Sequence, residues 1–188
     1  MLRNTPHRYG SVHIALHWLT AAAVLFLFPL GLWMVELDYY DSWYHRAPEL
    51  HKSLGILLAA VVGLRLVWRW SNPHPRPLGT ALENRLATAA HWLLYLLLIA
   101  LLASGYLIST AEGHPIEVFG WFSVPATLHG LPRQADVAGE IHEFLAFALI
   151  ALVALHAGAA LKHHFINRDR TLRRMLGADR PVADRNTN

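Results

Sequence analysis

Four long apolar blocks leave this chain of 188 residues few ways to fold: Ile14–Val35, His51–Trp70 (apolar from Leu54), Leu86–Ser109 and Ile141–Phe165. Each is roughly 17 to 25 residues long, the length that spans a bilayer. Lipid offers the backbone no hydrogen bonds, so each block satisfies its own amides and carbonyls only as a helix. A soluble four-helix bundle would show a polar stripe along every helix. Stretches such as AAAVLFLFPLGLWMV and LLYLLLIALLASG show none. Charged residues are only 15% of the chain, lean for a soluble protein. The expected fold class is therefore all-α: an integral membrane four-helix bundle in one domain, 1–188, with spans at about 14–35, 51–70, 86–109 and 141–165.

Charge sets the expected orientation. Arg3 and Arg8 precede the first span, Arg69, Arg76 and Arg85 flank the second connection, and the tail, 166–188, holds Arg168, Arg170, Arg173, Arg174, Arg180 and Arg185, with Lys162 just before it. The first and third connections carry Glu36, Asp38, Asp41, Glu49, Glu112, Glu117, Asp136 and Glu140 against Arg46, Lys52 and Arg133. By the positive-inside rule both termini are cytoplasmic, in a multi-pass protein of a bacterial inner membrane. The net charge of +3 is thus a topological signal, and no further motif supports a nucleic-acid partner. The opening segment reads as a retained first span, since the apolar run is too long for a signal-peptide core. Aromatic residues of the first connection suit a membrane–water interface, and the third connection, Thr110–Gly139, reads as an outer cap. The tail reads as a short basic helix on the inner leaflet. Pro29, Gly31, Gly55, Gly63, Gly105 and Gly158 allow kinks and close packing inside the spans.

Histidines inside such spans are costly and call for a partner. His17 lies in the first block, His51 opens the second, and His142 and His156 share the fourth. Their best partner is the iron of two haems, since two axial imidazoles leave iron six-coordinate and suited to electron transfer. The absence of cysteine excludes covalent haem attachment and Cys-ligated clusters. His51 and His142 match in depth, each opening a helix at its outer end. The fourteen residues from His142 to His156 are about 21 Å along a helix and leave the two about 40° apart around it. One face thus offers two ligands at two depths. For the inner site, depth alone tolerates His17 with either His91 or His156. The single face of the fourth span favours His156, leaving His91 beside the haem, bonding a propionate. Gly55, one turn after His51, would let a porphyrin approach. Buried Arg65 wants an anion such as a propionate, whereas Arg69 reads as snorkelling to headgroups. His13, His163 and His164 lie at the boundary and read as solvated.

The stretches HIALHW, HKSLGILL, VVGLRLVWR, AHWLLYLLLIAL, EIHEFLA and LHAGAALKHHF occur in an order that resembles the bacterial diheme cytochrome b-561 family, specifically its small four-span members, which include superoxide oxidases. The likeness spans roughly residues 10 to 176. It implies two non-covalent haem b groups, one on His51 and His142 near the outside and one on His17 and His156 near the inside. It also implies electron transfer with ubiquinone, in a pocket near the cytoplasmic ends that would involve Arg76, His163 and Ser11. In superoxide-oxidising members the outer donor is superoxide. The acidic outer loops depart from that pattern, because an anion is steered by positive charge; Lys52, beside His51, is the local exception.

The leading expectation is therefore an oxidoreductase: a diheme membrane cytochrome passing electrons between a periplasmic one-electron donor, superoxide in the family pattern, and ubiquinone. An alternative makes it the membrane electron-transfer subunit of a partner dehydrogenase or hydrogenase, docked on the outer cap. A histidine-lined divalent-metal transporter would want carboxylates among the spans, and the acids lie at their edges.

Overall fold

In the computed structural model, which describes residues 1–178, four long helices form the body: α1 (Ser11–Met34), α2 (Arg46–Trp70), α3 (Ala81–Thr110) and, after a hairpin of β1 (Ile116–Val118) and β2 (Phe122–Val124), α4 (Gln134–Phe165). A single short turn of helix, α5 (Thr171–Met175), follows. Arg180 and Arg185 of the basic tail lie outside the described residues. All four long helices are apolar enough to cross a membrane, with mean hydropathy of 1.7 to 2.3 over their best windows. They pack chiefly as two antiparallel pairs, α1 with α2 and α3 with α4. Leu27 and Leu30 of α1, Leu58 and Val62 of α2, Tyr95 and Leu98 of α3 and Leu149 of α4 form the core between the pairs.

All four long helices begin earlier than hydropathy alone suggests, and in two of them the shift moves a histidine inward. α2 starts at Arg46 and α4 at Gln134, so His51 and His142 lie one to two turns inside their helices rather than opening them. The added turns are polar but anchored. Ala47 is fully buried, and Gln134 donates from Nε2 to the carbonyls of Leu107 (2.9 Å) and Leu128 (3.1 Å) while its Oε1 accepts from the Leu131 amide. Fully buried Thr110 donates to the Leu128 carbonyl at 2.9 Å, closing the same knot. Gln134→Ala takes this partner from the Leu107 carbonyl and the Leu131 amide, while Thr110 still serves Leu128, and is expected to cost about 1–3 kcal/mol. The check is the thermal midpoint of the purified protein in detergent, which should fall.

The third connection is more ordered than a loose cap. β1 and β2 pair antiparallel in the register Ile116↔Val124, Glu117↔Ser123 and Val118↔Phe122. Their turn uses positive φ at Phe119 and Gly120, the twist a tight hairpin needs. Ser53 of α2 fastens it, donating to the Glu117 carbonyl (3.3 Å) and accepting from the Phe119 amide (3.2 Å).

At the opposite end the chain start folds back on itself. The Asn4 side chain accepts from the Gly10 amide (2.8 Å) and donates to the Pro73 carbonyl (3.0 Å), and the Arg76 amide donates to Pro6 (2.8 Å). A Cβ on Gly10 would stand 2.1 Å from the Leu2 carbonyl oxygen, so only glycine permits this approach. α3 opens on a capping box of Thr80 and Glu83. Glu83 also pairs with Lys162 at 2.7 Å, tying the end of α4 to the start of α3. This end carries most of the arginines and is called the basic end; the hairpin end, with exposed Glu36, Asp38, Asp41, Glu49, Glu112, Glu117, Asp136, Glu140 and Glu143 against Arg46, Lys52 and Arg133, is the acidic end.

Candidate functional site: two levels of histidine

The fourteen-residue interval of α4 recurs on every long helix. Reading from the basic end to the acidic end, α1 offers His17, Val24 and Gly31; α2 offers Arg65, Leu58 and His51; α3 offers His91, Leu98 and Gly105; α4 offers His156, Leu149 and His142. At 3.6 residues per turn, seven-residue steps keep each trio on one face. The contacts bear out the layering. At the basic-end level Arg65 lies 2.8 Å from His17, and the ring centre of His156 is 6.3 Å from that of His17 and 5.3 Å from that of His91. At the acidic-end level the rings of His51 and His142 are 6.2 Å apart. Gly31 and Gly105 sit against those two rings: an added Cβ would be 3.2 Å from His51 Cε1 or 3.1 Å from His142 Cε1. Leu58, Leu98 and Leu149, all buried, form the dry layer between the levels.

These distances test whether a six-coordinate iron fits. Imidazole nitrogen binds a transition metal at about 2.0 Å and lies about 1.15 Å from its ring centre, so two imidazoles on opposite sides of one metal have centres roughly 6.3 Å apart. His51 with His142 and His17 with His156 both match; His91 with His156 is an ångström short. At the acidic end the protonation is also right. His142 Nδ1 donates to the Leu101 carbonyl at 3.1 Å, which leaves the Nε2 lone pair for a metal. His51 Nδ1 is buried without a partner. At the basic end a guanidinium can only donate, so Arg65 holds His17 with Nδ1 as acceptor and the proton on Nε2. A metal at Nε2 requires the other tautomer, in which His17 Nδ1–H and Arg65 repel. Arg65 and a metal therefore compete for His17 unless an anion takes the guanidinium.

The other residues singled out in the sequence fall in varied settings. A Cβ on Gly55 would meet nothing within 4 Å, so the glycines in contact with histidine are Gly31 and Gly105 instead. Lys52 is exposed beside His51. Ser11, Arg76 and His163 all lie at the basic end, but no hydrogen bond joins them among the described residues. Ser11 bonds the Met1 carbonyl, and the backbone of Arg76 bridges Pro6 and the Arg174 guanidinium. His163 is half-buried and pairs with Asp169 at 2.5 Å. Partial burial raises the Asp169 carboxyl, but hydrogen bonds from Thr171 and His163 outweigh it and hold the group below the ordinary carboxylate range.

Three expectations are corrected. His13 is not solvated but buried at 7% exposure, with its ring stacked 4.5 Å from Tyr9. His163 is not solvated either, since Asp169 covers it. Arg69 does not snorkel; its guanidinium lies over the rings of Trp92 (5.6 Å) and Tyr95 (5.9 Å), aromatic faces that attract a cation. Tyr95 went unnoticed in the sequence, although it lies one turn from His91 on the same face of α3.

A family model described as prokaryotic cytochrome b561 matches residues 8–178. The chain is 56% identical to "Cytochrome b561 homolog 2" of Escherichia coli (strain K12), over 93% of this chain and 94% of that protein. It is 31% identical to "Probable superoxide oxidase CybB" of Yersinia pestis, over 90% of this chain and 96% of the relative, and 30% identical to "Cytochrome b561 homolog 1" of Escherichia coli (strain K12), over 90% and 97%. Four membrane-length helices, histidines paired across them at iron-bridging distance and a match along nearly the whole chain agree: the chain belongs to the prokaryotic cytochrome b561 family of helical, haem-binding membrane electron carriers.

Proposed function

We propose that this chain is a two-haem cytochrome that moves electrons across a bacterial inner membrane, between a one-electron donor at the acidic, outer end and ubiquinone at the basic, inner end. His51 and His142 hold the outer haem b and His17 and His156 the inner one. The observation that carries this reading is the pair of ring separations, 6.2 and 6.3 Å, at two levels fourteen residues apart on α4. Bound haem supplies the one-electron change at iron; the chain supplies position and surroundings. Gly31 and Gly105 let the outer imidazoles lie close to α1 and α3, and the open flank at Gly55 leaves that side of α2 flat for a macrocycle. Leu101 fixes the His142 ring through Nδ1. The buried leucine layer keeps water from the space between the levels. The excess of arginine at the basic end supports a cytoplasmic side for both termini.

Ubiquinone reduction takes up protons as well as electrons, and His163 with Asp169 is a hydrogen-bonded acid–base pair at the end where quinone would bind. Arg76 and Ser11 complete the candidate pocket. For the donor, the 31%-identical relative named a probable superoxide oxidase supports superoxide, with Lys52 as its local positive charge. The exposed carboxylates of the acidic end favour a second reading, in which a partner redox protein docks on that face and this chain is its membrane subunit. Mixing the oxidised protein with superoxide in a stopped-flow instrument separates the two. Haem reduction at least tenfold faster than in His51→Ala is expected if superoxide is the donor; equal rates in the two proteins remove it.

A further inference from the structure

Arg65 is a fixed positive charge inside the bundle with no carboxylate against it. No ion pair reaches it among the described residues, its Nε is buried without a partner, and its guanidinium lies 5.4 Å from the ring centre of Tyr95. The Tyr95 hydroxyl, on a side chain 7% exposed, is likewise buried without a partner. Two orphaned donors on facing helices, one charged and one neutral, make a receptor for an anion. The competition at His17 demands the same: an imidazole that binds metal through Nε2 must release Arg65, and the guanidinium then needs a negative partner. Haem b carries two carboxylates on one edge. Arg69, stacked on Tyr95 and Trp92 one turn nearer the basic end, adds a second positive charge. Among the described residues no arginine is recorded against the ligands of the other level, where the charged residues next to them in sequence are the exposed Glu143, after His142, and Lys52, after His51.

We propose that Arg65 and Tyr95 bind a carboxylate of the basic-end haem and thereby make it the higher-potential haem of the two, so that electrons come to rest beside the quinone. This rests on the two-haem reading above. The sign follows from charge. Oxidised iron carries one more positive charge than reduced iron, so a nearby cation disfavours the oxidised form, and so does neutralising a carboxylate that would otherwise stabilise it. Burial acts in the same direction. In such a transfer a haem held at the acidic end would give up one electron and one held at the basic end would take it up, with no proton or bond exchanged.

Potentiometric titration of the haem absorption bands, with the purified two-haem protein in detergent, tests this. His142→Ala assigns the waves, because the wave it retains belongs to the basic end. The expected result is two separate waves with the basic-end one at the higher potential. In Arg65→Gln that wave should move down until its ratio of reduced to oxidised haem, at the wild-type midpoint, is at least tenfold lower, a shift of about 59 mV for one electron. Tyr95→Phe, which keeps every charge and should fold as the wild type does, should lower the same ratio about threefold and leave the other wave in place. Arg65→Lys should restore most of the wild-type potential, since it restores the charge. Coincident waves, a higher acidic-end haem or an unmoved basic-end wave in Tyr95→Phe overturns the proposal. One haem or none per wild-type chain overturns instead the two-haem reading beneath it.

Discussion

His142→Ala is expected to purify with one haem per chain where the unaltered protein carries two, and His156→Ala should lose the other one. The pairings dictate which variants share a phenotype. His51→Ala should match His142→Ala, because each removes half of one axial pair, and His17→Ala should match His156→Ala. His91→Ala separates this arrangement from its rival. Its ring lies 5.3 Å from that of His156, too close for both to take opposite sides of one iron, so its removal should leave two haems bound. Changes to residues that merely support a ligand typically cost 10–100-fold in metal affinity, and loss of an axial imidazole should exceed that range. Haem-to-protein ratio and the separate redox waves read the outcome directly. If His91→Ala loses the basic-end haem while His17→Ala keeps it, the partner of His156 is His91 and the proposed pair is wrong.

The sequence makes the four spans legible because hydropathy is summed over some twenty residues and survives local detail. It blurs their starts for the same reason. The first turns of α2 and α4 are polar, and what holds them helical is tertiary: a buried Ala47, and a Gln134 whose partners are 27 and 6 residues away. The hairpin escapes notice because its strands have three residues each, too short for alternation to register, and its anchor is Ser53, more than sixty residues distant. The two levels of α4 are plain from spacing alone. The corresponding intervals on α1, α2 and α3 are just as regular, but Gly31, Arg65 and Gly105 are not histidines, so only the assembled layers reveal that they answer to the same geometry. The settings of Arg69 and His13 are hidden from the sequence for a related reason. A boundary position tells how far a side chain is from water along the helix; whether Trp92 or Tyr9 stands ready to receive it depends on another element.

Gly105→Leu is expected to lose the acidic-end haem as completely as His142→Ala does, without touching a ligand. A Cβ at position 105 would lie 3.1 Å from His142 Cε1 and 3.3 Å from Nδ1, the nitrogen that the Leu101 carbonyl orients. A methyl group asks the ring to give by a few tenths of an ångström; an isobutyl group occupies its place. The helix itself should gain, since glycine in a helix interior is roughly 0.5–1 kcal/mol worse than alanine and leucine is among the good helix formers. Haem content should therefore fall while the helical circular-dichroism signal of the purified protein holds, which a general folding defect cannot produce. Gly31→Leu, 3.2 Å from His51, should behave the same way across the pair. Gly158→Leu is the control: it is a helical glycine of α4 whose Cβ would meet nothing within 4 Å, and it should keep both haems. Retention of two haems in Gly105→Leu would mean that the ring of His142 is not held against α3 in the loaded protein, and the acidic-end level would need a different ligand geometry.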